Sequence, residues 1–466
     1  MSKAFAISIV RTLRERGHEA YLVGGCVRDL VLGREPADYD VATDAVPDEV
    51  MRIFPETYAV GAQFGVVLVP IPELERKPQP GPAFEGERAV FPGHLHKSCV
   101  EVATFRRDVG YSDGRHPDSV LFSRDPREDV ERRDFTINGL LLDPLENKVL
   151  DFVGGQRDLK AGVIRAIGDA ALRFAEDRLR MMRAVRFAAR FEYRIEAGTF
   201  AGIKRLAPEV RQVSRERVRD ELTRMLTEGQ ARRAFELLDE ADLLRHVLPE
   251  IAAMKGVEQP PEFHPEGDVF THTLLMLEKL PPGCPATLAW GVLLHDVGKP
   301  PTFRRAPDRI RFDEHASVGT KMAEEICRRL RFSNDETGQI SALVANHMRF
   351  ADVEKMNPST FKKFIRLPHF AEHLELHRLD CESSHGSLKL YEFTKQQICK
   401  LPVEVVHPAP LVTGDDLIAA GYIPGPRFKE ILTAVEDAQL DGRLHSRQEA
   451  IEFVRREFPL EARSIS

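Results

Sequence analysis

The chain reads as an α+β protein: a mixed sheet with helices over the first 150 residues, then helices to the end. Three observations predict this. Short apolar runs at Tyr21–Val23, Val66–Pro70 and Val100–Thr104 are set apart by turn and helix signals, which is a strand pattern. Beyond residue 175 apolar residues recur at helical spacing instead, as in Leu179, Met182, Val185 and Ala189. The length of 466 residues exceeds the roughly 250–300 that one core holds, so three or more packed units are expected. They divide as a head at 1–150, a helical neck and body at 151–260, a third domain at 261–400 and a helical tail at 401–466.

The totals narrow the class. With 42% hydrophobic and 30% charged residues and no long apolar run, no membrane span is expected. The opening MSKAFAISIVRTLRERG is amphipathic and charged throughout, unlike a signal peptide. Six scattered cysteines without a C-x-x-C pair fit a reducing compartment, so a cytoplasmic location is expected. A net charge of −7 excludes a surface coated in basic charge but leaves room for a local basic face.

Tyr21 to Asp44 organises the head. A strand at Tyr21–Val23 breaks at Gly24-Gly25 into a helix from Cys26 to Leu32, a turn where bare backbone N–H groups meet a phosphate. Arg28 on the first helical turn adds a charged donor. Asp38 and Asp40, on a second strand with Val41, fall on one face with Tyr39 on the other. Two adjacent carboxylates repel unless a cation lies between them, and Mg²⁺ takes such hard oxygen ligands. A plain turn and a solvated edge are the alternatives for each motif alone. Together, with an arginine between them, they point to phosphate and metal chemistry.

Pro47–Phe54 is a short helix and Val66–Pro70 a strand; residues 71–98, rich in Pro, Gly and charge, form an insertion. His94 and His96 within it lack an acidic partner. Glu101 on the strand Val100–Thr104 is the candidate third carboxylate, a base or metal-orienting group, with an exposed strand glutamate as the alternative. Tyr111–Pro117 is a turn-rich loop. Asp129–Leu142 reads as a helix with Phe135, Ile137, Leu140 and Leu141 inward and Arg132, Arg133, Asp134 and Asn138 on the other surface. Arginine forks suit triphosphates.

Ala175–Phe191 reads as one amphipathic helix, with Arg180, Arg183, Arg186 and Arg190 near one face. Asp177 and Arg180, three apart, are neighbours that pair either with the edge of a base or with each other. Val213–Leu226 repeats the pattern. From His264 the chemistry changes: His272, the adjacent His295-Asp296, His315, His347 and Asp380 lie on predicted helices, a mixed N/O set suited to a transition metal. In the tail, TGDDL opens a helix with Thr413 as N-cap and GYIPGP stops it; Asp415 and Asp416 read as capping rather than metal-binding.

The ordered set GGCVRD, DYD, VEVATFR, YSDGRHPD and RRDFTIN resembles the polymerase-β-type nucleotidyltransferase superfamily. More narrowly it resembles the bacterial class II CCA-adding enzymes and the related poly(A) polymerases. The resemblance implies a polymerase-β-like head that binds Mg²⁺ and joins CTP and ATP to a tRNA 3′ end. Gly24, Gly25, Arg28 and Arg133 would grip the triphosphate, with Asp134 and Asn138 beside them. The AEDRLRMMRAVRF block resembles that family's base-selecting motif, which implies Asp177 and Arg180 as the reading pair, supported by Arg183 and Arg186. His116 stands where the family loop carries a second arginine.

The later histidines resemble an HD-type phosphohydrolase domain. His272, His295, Asp296 and Asp380 match its core ligands, and His315 and His347 match its two-metal branch. That implies a divalent transition metal or Mg²⁺ and phosphoester hydrolysis as a second activity. The alternatives are poly(A) addition, CC-only or A-only addition, or an HD phosphohydrolase whose head binds RNA without catalysis.

Overall fold

The computed structural model describes residues 3–59, 64–72, 99–111, 114, 117–262, 264–307 and 309–460. The expectations for His94, His96 and His116 fall outside these. The chain divides into two compact units, Met1–Pro249 and Glu250–Ser466.

The first unit is built on a six-stranded sheet. In chain order its head has strands β1 (Ala20–Val23), β2 (Asp40–Thr43), β3 (Val66–Pro70), β4 (Cys99–Thr104), β5 (Arg106–Val109), β6 (Ser119–Phe122), β7 (Leu140–Asp143) and β8 (Lys148–Asp151). The sheet order is β3-β4-β2-β1-β7-β8, with β5 and β6 a separate hairpin. Only the β2–β4 pair within the six is parallel, and it sets Asp40 opposite Glu101. The helix Lys3–Glu15 buries Ala6, Ile9, Val10 and Leu13, the stripe its spacing predicts. Strand β2 begins at Asp40, so Asp38 and Tyr39 precede it; Tyr39 is still buried while Asp38 is exposed.

Two predicted helices are corrected. Asp129–Leu142 is not one helix. A helix Pro126–Glu131, capped by the Asp125 side chain, is followed by extended Phe135, a single 3-10 turn at Thr136–Asn138 and strand β7. All four residues of β7 are buried, because the strand lies inside the sheet between β1 and β8. A continuous apolar run after a glycine suits that place, and periodicity alone does not separate it from a buried helix. The second correction is at Ala175–Phe191. Helix Ala170–Glu176 ends at Asp177, which is extended, and Leu179–Phe191 starts afresh. The Asp177 carboxylate accepts the Leu179 N–H at 3.0 Å, the local bond by which aspartate competes with helix continuation.

The second unit is mainly helical. Helix Ala286–Leu294 is buried from Leu288 to Leu294, and Val269–Glu278, His315–Arg329, Asn334–Asn346 and Phe370–Ser383 belong to the same unit. A short hairpin pairs Phe303–Arg305 with Ile310–Phe312. In the tail, Thr413 and Asp416 cap Gly414–Ala419 reciprocally, and Asp416 also pairs with Arg447, so its carboxylate is engaged in capping. The tail buries Leu417, Tyr422, Ile431, Val435 and Val454 in a core of its own. All six cysteines are free thiols, and five are buried. Among the described residues no helix is long and apolar enough to cross a membrane.

Candidate functional site

In the head, β1 ends at Gly24, whose φ of +77° suits glycine, and a Cβ there would lie 3.1 Å from the Arg133 Nη1. The chain turns into the helix Gly25–Val31, which carries Arg28. Arg28 is only 5% exposed. It donates to Asn138 Oδ1 at 2.7 Å and to Asp29 at 2.8 Å, and it lies over the Phe191 ring. Its direction is fixed before any ligand arrives.

Asp40 is flanked by Glu101 across the β2–β4 pair and by Asp38 two residues before it. Burial pushes the Asp40 carboxyl up to about 7, aided by the charges of Glu101 and then Asp38, while Arg133 opposes the shift. A carboxylate so raised calls for a cation, and a hard divalent ion fits this oxygen-only donor set. Ligand atoms of Asp38, Asp40 and Glu101 do not form a group within 4.8 Å of one another. The two aspartates border a cleft of about 670 Å³, whereas Glu101 is not among its lining residues.

The same cleft is lined by Gly24, Gly25, Arg28, Arg133, Asp134, Asn138, Asp177, Arg180, Arg183 and Arg186, so the fold brings every predicted nucleotide-binding residue together. Their pairings differ from the simplest expectation. The side chains of Asp177 and Arg180 do not pair with each other: Arg217 holds Asp177 through two bonds of 2.7 and 3.1 Å, and Arg180 reaches Glu176 at 2.6 Å. Arg186, 4% exposed, is bound to Glu221 at 2.7 Å and Glu228 at 3.2 Å. Asn138 donates to Asp134 at 3.0 Å. Burial is the largest influence on Asp134 and opposes its charge, but Arg183, Asn138 and Arg180 together hold this carboxyl below its ordinary range. Arg217 and Glu221 carry no sequence signal of their partners, which lie 40 and 35 residues away, whereas Glu176 and Asp129 have arginines at i,i+3 or i,i+4, a spacing that could have found them. A larger cleft of about 920 Å³, lined in part by Arg165, Arg173, Glu196 and Arg205, contains none of the predicted residues.

In the second unit the six predicted ligands converge. His272, His295 and Asp296 form one close group of ligand atoms, and Asp296, His315 and His347 form another. Asp380 Oδ1 lies 3.1 Å from His272 Nε2. Gly298 makes the convergence possible, since a Cβ there would sit 2.1 Å from the His315 carbonyl oxygen and 2.6 Å from the Gly319 nitrogen. Each histidine is oriented through Nδ1: His295 to the Val292 carbonyl at 2.9 Å, His315 to Phe312 at 2.9 Å, His347 to Val344 at 2.7 Å, and His272 to the Glu266 carboxylate at 2.7 Å. A carbonyl only accepts, so Nδ1 keeps the proton and Nε2 of the neutral ring presents a lone pair. His272 and His295 have Nε2 atoms that are buried and lack a hydrogen-bond partner. Donors crowded this closely without hydrogen-bond alignment fit a shared metal ion.

The local charges divide the set: without a cation His272 carries a proton on both nitrogens at pH 7, one of which a metal would displace, whereas His347 is already neutral. Burial opposes charge on His272, yet the Asp380 and Glu266 carboxylates prevail and push it up to about 9. Burial pushes His347 down to about 4, leaving a neutral ring at pH 7. Glu266 and Lys299 were not predicted. Lys299, 6% exposed, lies 2.7 Å from Asp296 and 2.6 Å from Gln259.

Comparison with known proteins follows these geometries. Residues 20–165 match the family model described as Poly A polymerase head domain. Residues 192–255 match the "Probable RNA and SrmB- binding site of polymerase A" model, and 315–454 match one for tRNA nucleotidyltransferase domain 2. A CCA-adding enzyme of Geobacillus thermodenitrificans (strain NG80-2) is 41% identical over 247 residues, 53% of this chain and only 55% of that protein. The CCA-adding enzyme of Lactobacillus helveticus (strain DPC 4571) is 30% identical over 450 residues, 96% of this chain and 95% of that protein. The chain belongs to the CCA-adding enzyme family. As a CCA-adding family member it also shares its architecture with a solved relative. The crystal structure of the Bacillus stearothermophilus CCA-adding enzyme in complex with CTP superposes with a TM-score of 0.69 at 26% identity, covering 98% of this chain and 99% of that one. For this CCA-family chain, the Poly A polymerase head match ends at residue 165, so it includes the whole carboxylate-bearing sheet.

Proposed function

We propose that this CCA-family nucleotidyltransferase adds C, C and A to tRNA 3′ ends from CTP and ATP. The observation that carries the reading is one cleft joining the Asp38/Asp40 pair, the Gly24-Gly25 turn and a wall of arginines. The Bacillus stearothermophilus relative was solved with CTP, which supports the same ligand class here. The acceptor 3′-hydroxyl releases its proton to solvent as its oxygen bonds to the α-phosphorus, the α–β phosphoanhydride bond breaks, and pyrophosphate leaves with the electron pair. Asp38 and Asp40 would hold Mg²⁺, which would supply Lewis-acid polarisation of the reacting oxygens. Arg28 and Arg133 bind the triphosphate and offset the charge that develops on the leaving group. Glu101, opposite Asp40 across the strand pair, adds negative charge that favours a cation at that aspartate. Asp177 and Arg180 read the base edge, with Arg183 and Arg186 supporting the pocket.

The test is incorporation of labelled CTP and ATP into tRNAs ending in the discriminator base, C or CC, with Asp40→Ala as control. Two C additions and then one A, lost in the control, support the reading. A long tail from ATP alone assigns poly(A) addition instead, and a stop after CC assigns partial addition.

A second reading concerns the second unit: an HD-type phosphohydrolase site. The buried, unpartnered Nε2 atoms of His272 and His295 beside Asp296 and Asp380 favour it. His272, His295, Asp296 and Asp380, with His315 and His347, would hold a divalent transition metal or Mg²⁺, which supplies an activated water for phosphoester cleavage. Hydrolysis of 2′,3′-cyclic AMP after loading with Mn²⁺, Ni²⁺ or Mg²⁺, abolished by Asp296→Ala, would support it. Inactivity with all three metals would overturn it.

A further inference from the structure

Asp129 is fully buried at the end of the helix Pro126–Glu131, and its two oxygens serve two different arginines. Oδ1 accepts from Arg132 through Nε at 2.9 Å and Nη2 at 2.6 Å, and Oδ2 accepts from Arg133 Nη2 at 2.9 Å. Arg133, which lines the cleft, is left with Nη1 toward the Gly24 turn. Its buried Nε has no hydrogen-bond partner. Arg132 is engaged a second time through its main chain: its carbonyl accepts from Arg180 Nη2 at 3.1 Å. One carboxylate therefore reaches both ends of the cleft, the phosphate turn through Arg133 and the base-reading arginine through Arg132.

We propose that Asp129 is a positioning residue of the nucleotide site, aiming Arg133 at the triphosphate and steadying the Arg132 carbonyl that holds Arg180. The inference rests on reading this cleft as the nucleoside triphosphate site. A long arginine side chain loses rotamer freedom when it grips a ligand, and a buried anchor removes that loss before binding. The anchor is stable because each charge compensates the other: burial alone would neutralise Asp129, but Arg133 and then Arg132 hold its carboxyl below the ordinary range.

The test is equilibrium titration of the full chain with Mg-CTP and with Mg-ATP in the absence of RNA. It compares the unaltered protein, Asp129→Asn, Arg133→Met and the double variant, with thermal melts run alongside. We expect Asp129→Asn to weaken both nucleotides about tenfold, in the range set by one freed side chain. The double variant should lose less than the product of the two single losses, because the part of the Asp129 effect that passes through Arg133 is already gone in Arg133→Met. Multiplying losses in the double variant would overturn the inference, since they mark a general effect on the fold. Unchanged binding in Asp129→Asn beside weak binding in Arg133→Met would overturn it while leaving the triphosphate site intact. Unchanged binding in Arg133→Met would remove the triphosphate reading and the inference with it. If Asp129→Asn fails to fold, Asp129→Glu keeps the charge and shifts its reach, and the same non-multiplying pattern is expected.

Discussion

Arg183, on the helix Leu179–Phe191, donates its Nε–H to Asp134 Oδ2 at 2.9 Å, and its Nη2 lies 2.9 Å from the same oxygen. The pair ties the neck helix to the RRDFTIN segment of the head. The other oxygen of Asp134 takes the Asn138 amide, which in turn holds Arg28. The walls of the cleft are thus joined by a run of charge-assisted bonds rather than by apolar packing alone.

Replacing Arg183 with Met keeps the stem and removes the charge. Asp134 would be left partly buried without its main partner. The expected loss is about 1–3 kcal/mol of folding stability, the usual cost of stranding such a group. Urea titration of the isolated variant against the unaltered protein measures it, and CTP affinity should fall in parallel.

Asp40 gives a pH dependence with a definite sign. Its carboxyl is raised from 3.8 to about 7 in the folded chain. Between those values the folded protein holds a proton that the unfolded chain has released, so this group's contribution to stability falls as pH rises through the window and levels off above about 7. In the presence of a chelator, Asp40→Asn should therefore gain on the unaltered protein between pH 5 and 8. Saturating Mg²⁺ should cancel the gain by favouring the ionised carboxylate. Denaturant titrations at both pH values, with and without Mg²⁺, check both halves.

Gly298→Ala tests how the second site is assembled. The added methyl meets the His315 carbonyl and the Gly319 backbone, neither of which is a flexible side-chain end. Overpacking of this kind costs about 1–3 kcal/mol, and here the strain falls on the helix that carries His315. A lower melting temperature and less bound metal after dialysis against Mn²⁺ are expected.

Glu266→Gln addresses the orientation of His272. Glu266 Oε1 accepts from both His272 at 2.7 Å and His264 at 2.9 Å. Loss of an orienting carboxylate behind a metal-binding histidine typically weakens metal affinity about 10–100-fold. Calorimetric titration with Mn²⁺ reads this without any substrate. Unchanged affinity would show that His272 does not depend on Glu266.

The strand and helix around Gly24-Gly25, the helix Lys3–Glu15 and the capped helix after Thr413 were legible in the sequence because each rests on local rules. Those rules are a side-chain period, a glycine at positive φ and a side chain that caps a nearby N–H. The DYD and His-Asp motifs pointed to their chemistry for the same reason, since charge repulsion between adjacent ligands is itself local. Local reasoning failed where burial on both faces decided the outcome, as at Leu140–Leu142, and where a single aspartate split an otherwise periodic helix, as at Asp177.

The sequence by itself singled out the candidate side chains: the acidic pair, the arginine-rich helices and the six metal-binding candidates. Only the tertiary structure decided what those groups bind within the protein. Arg217 meets Asp177 across 40 residues, Arg186 meets Glu221 across 35, and Asn138 meets Arg28 across 110. A charged residue's identity is written locally, but its partner is fixed by which elements the core brings together. Chain spacing holds no record of that choice.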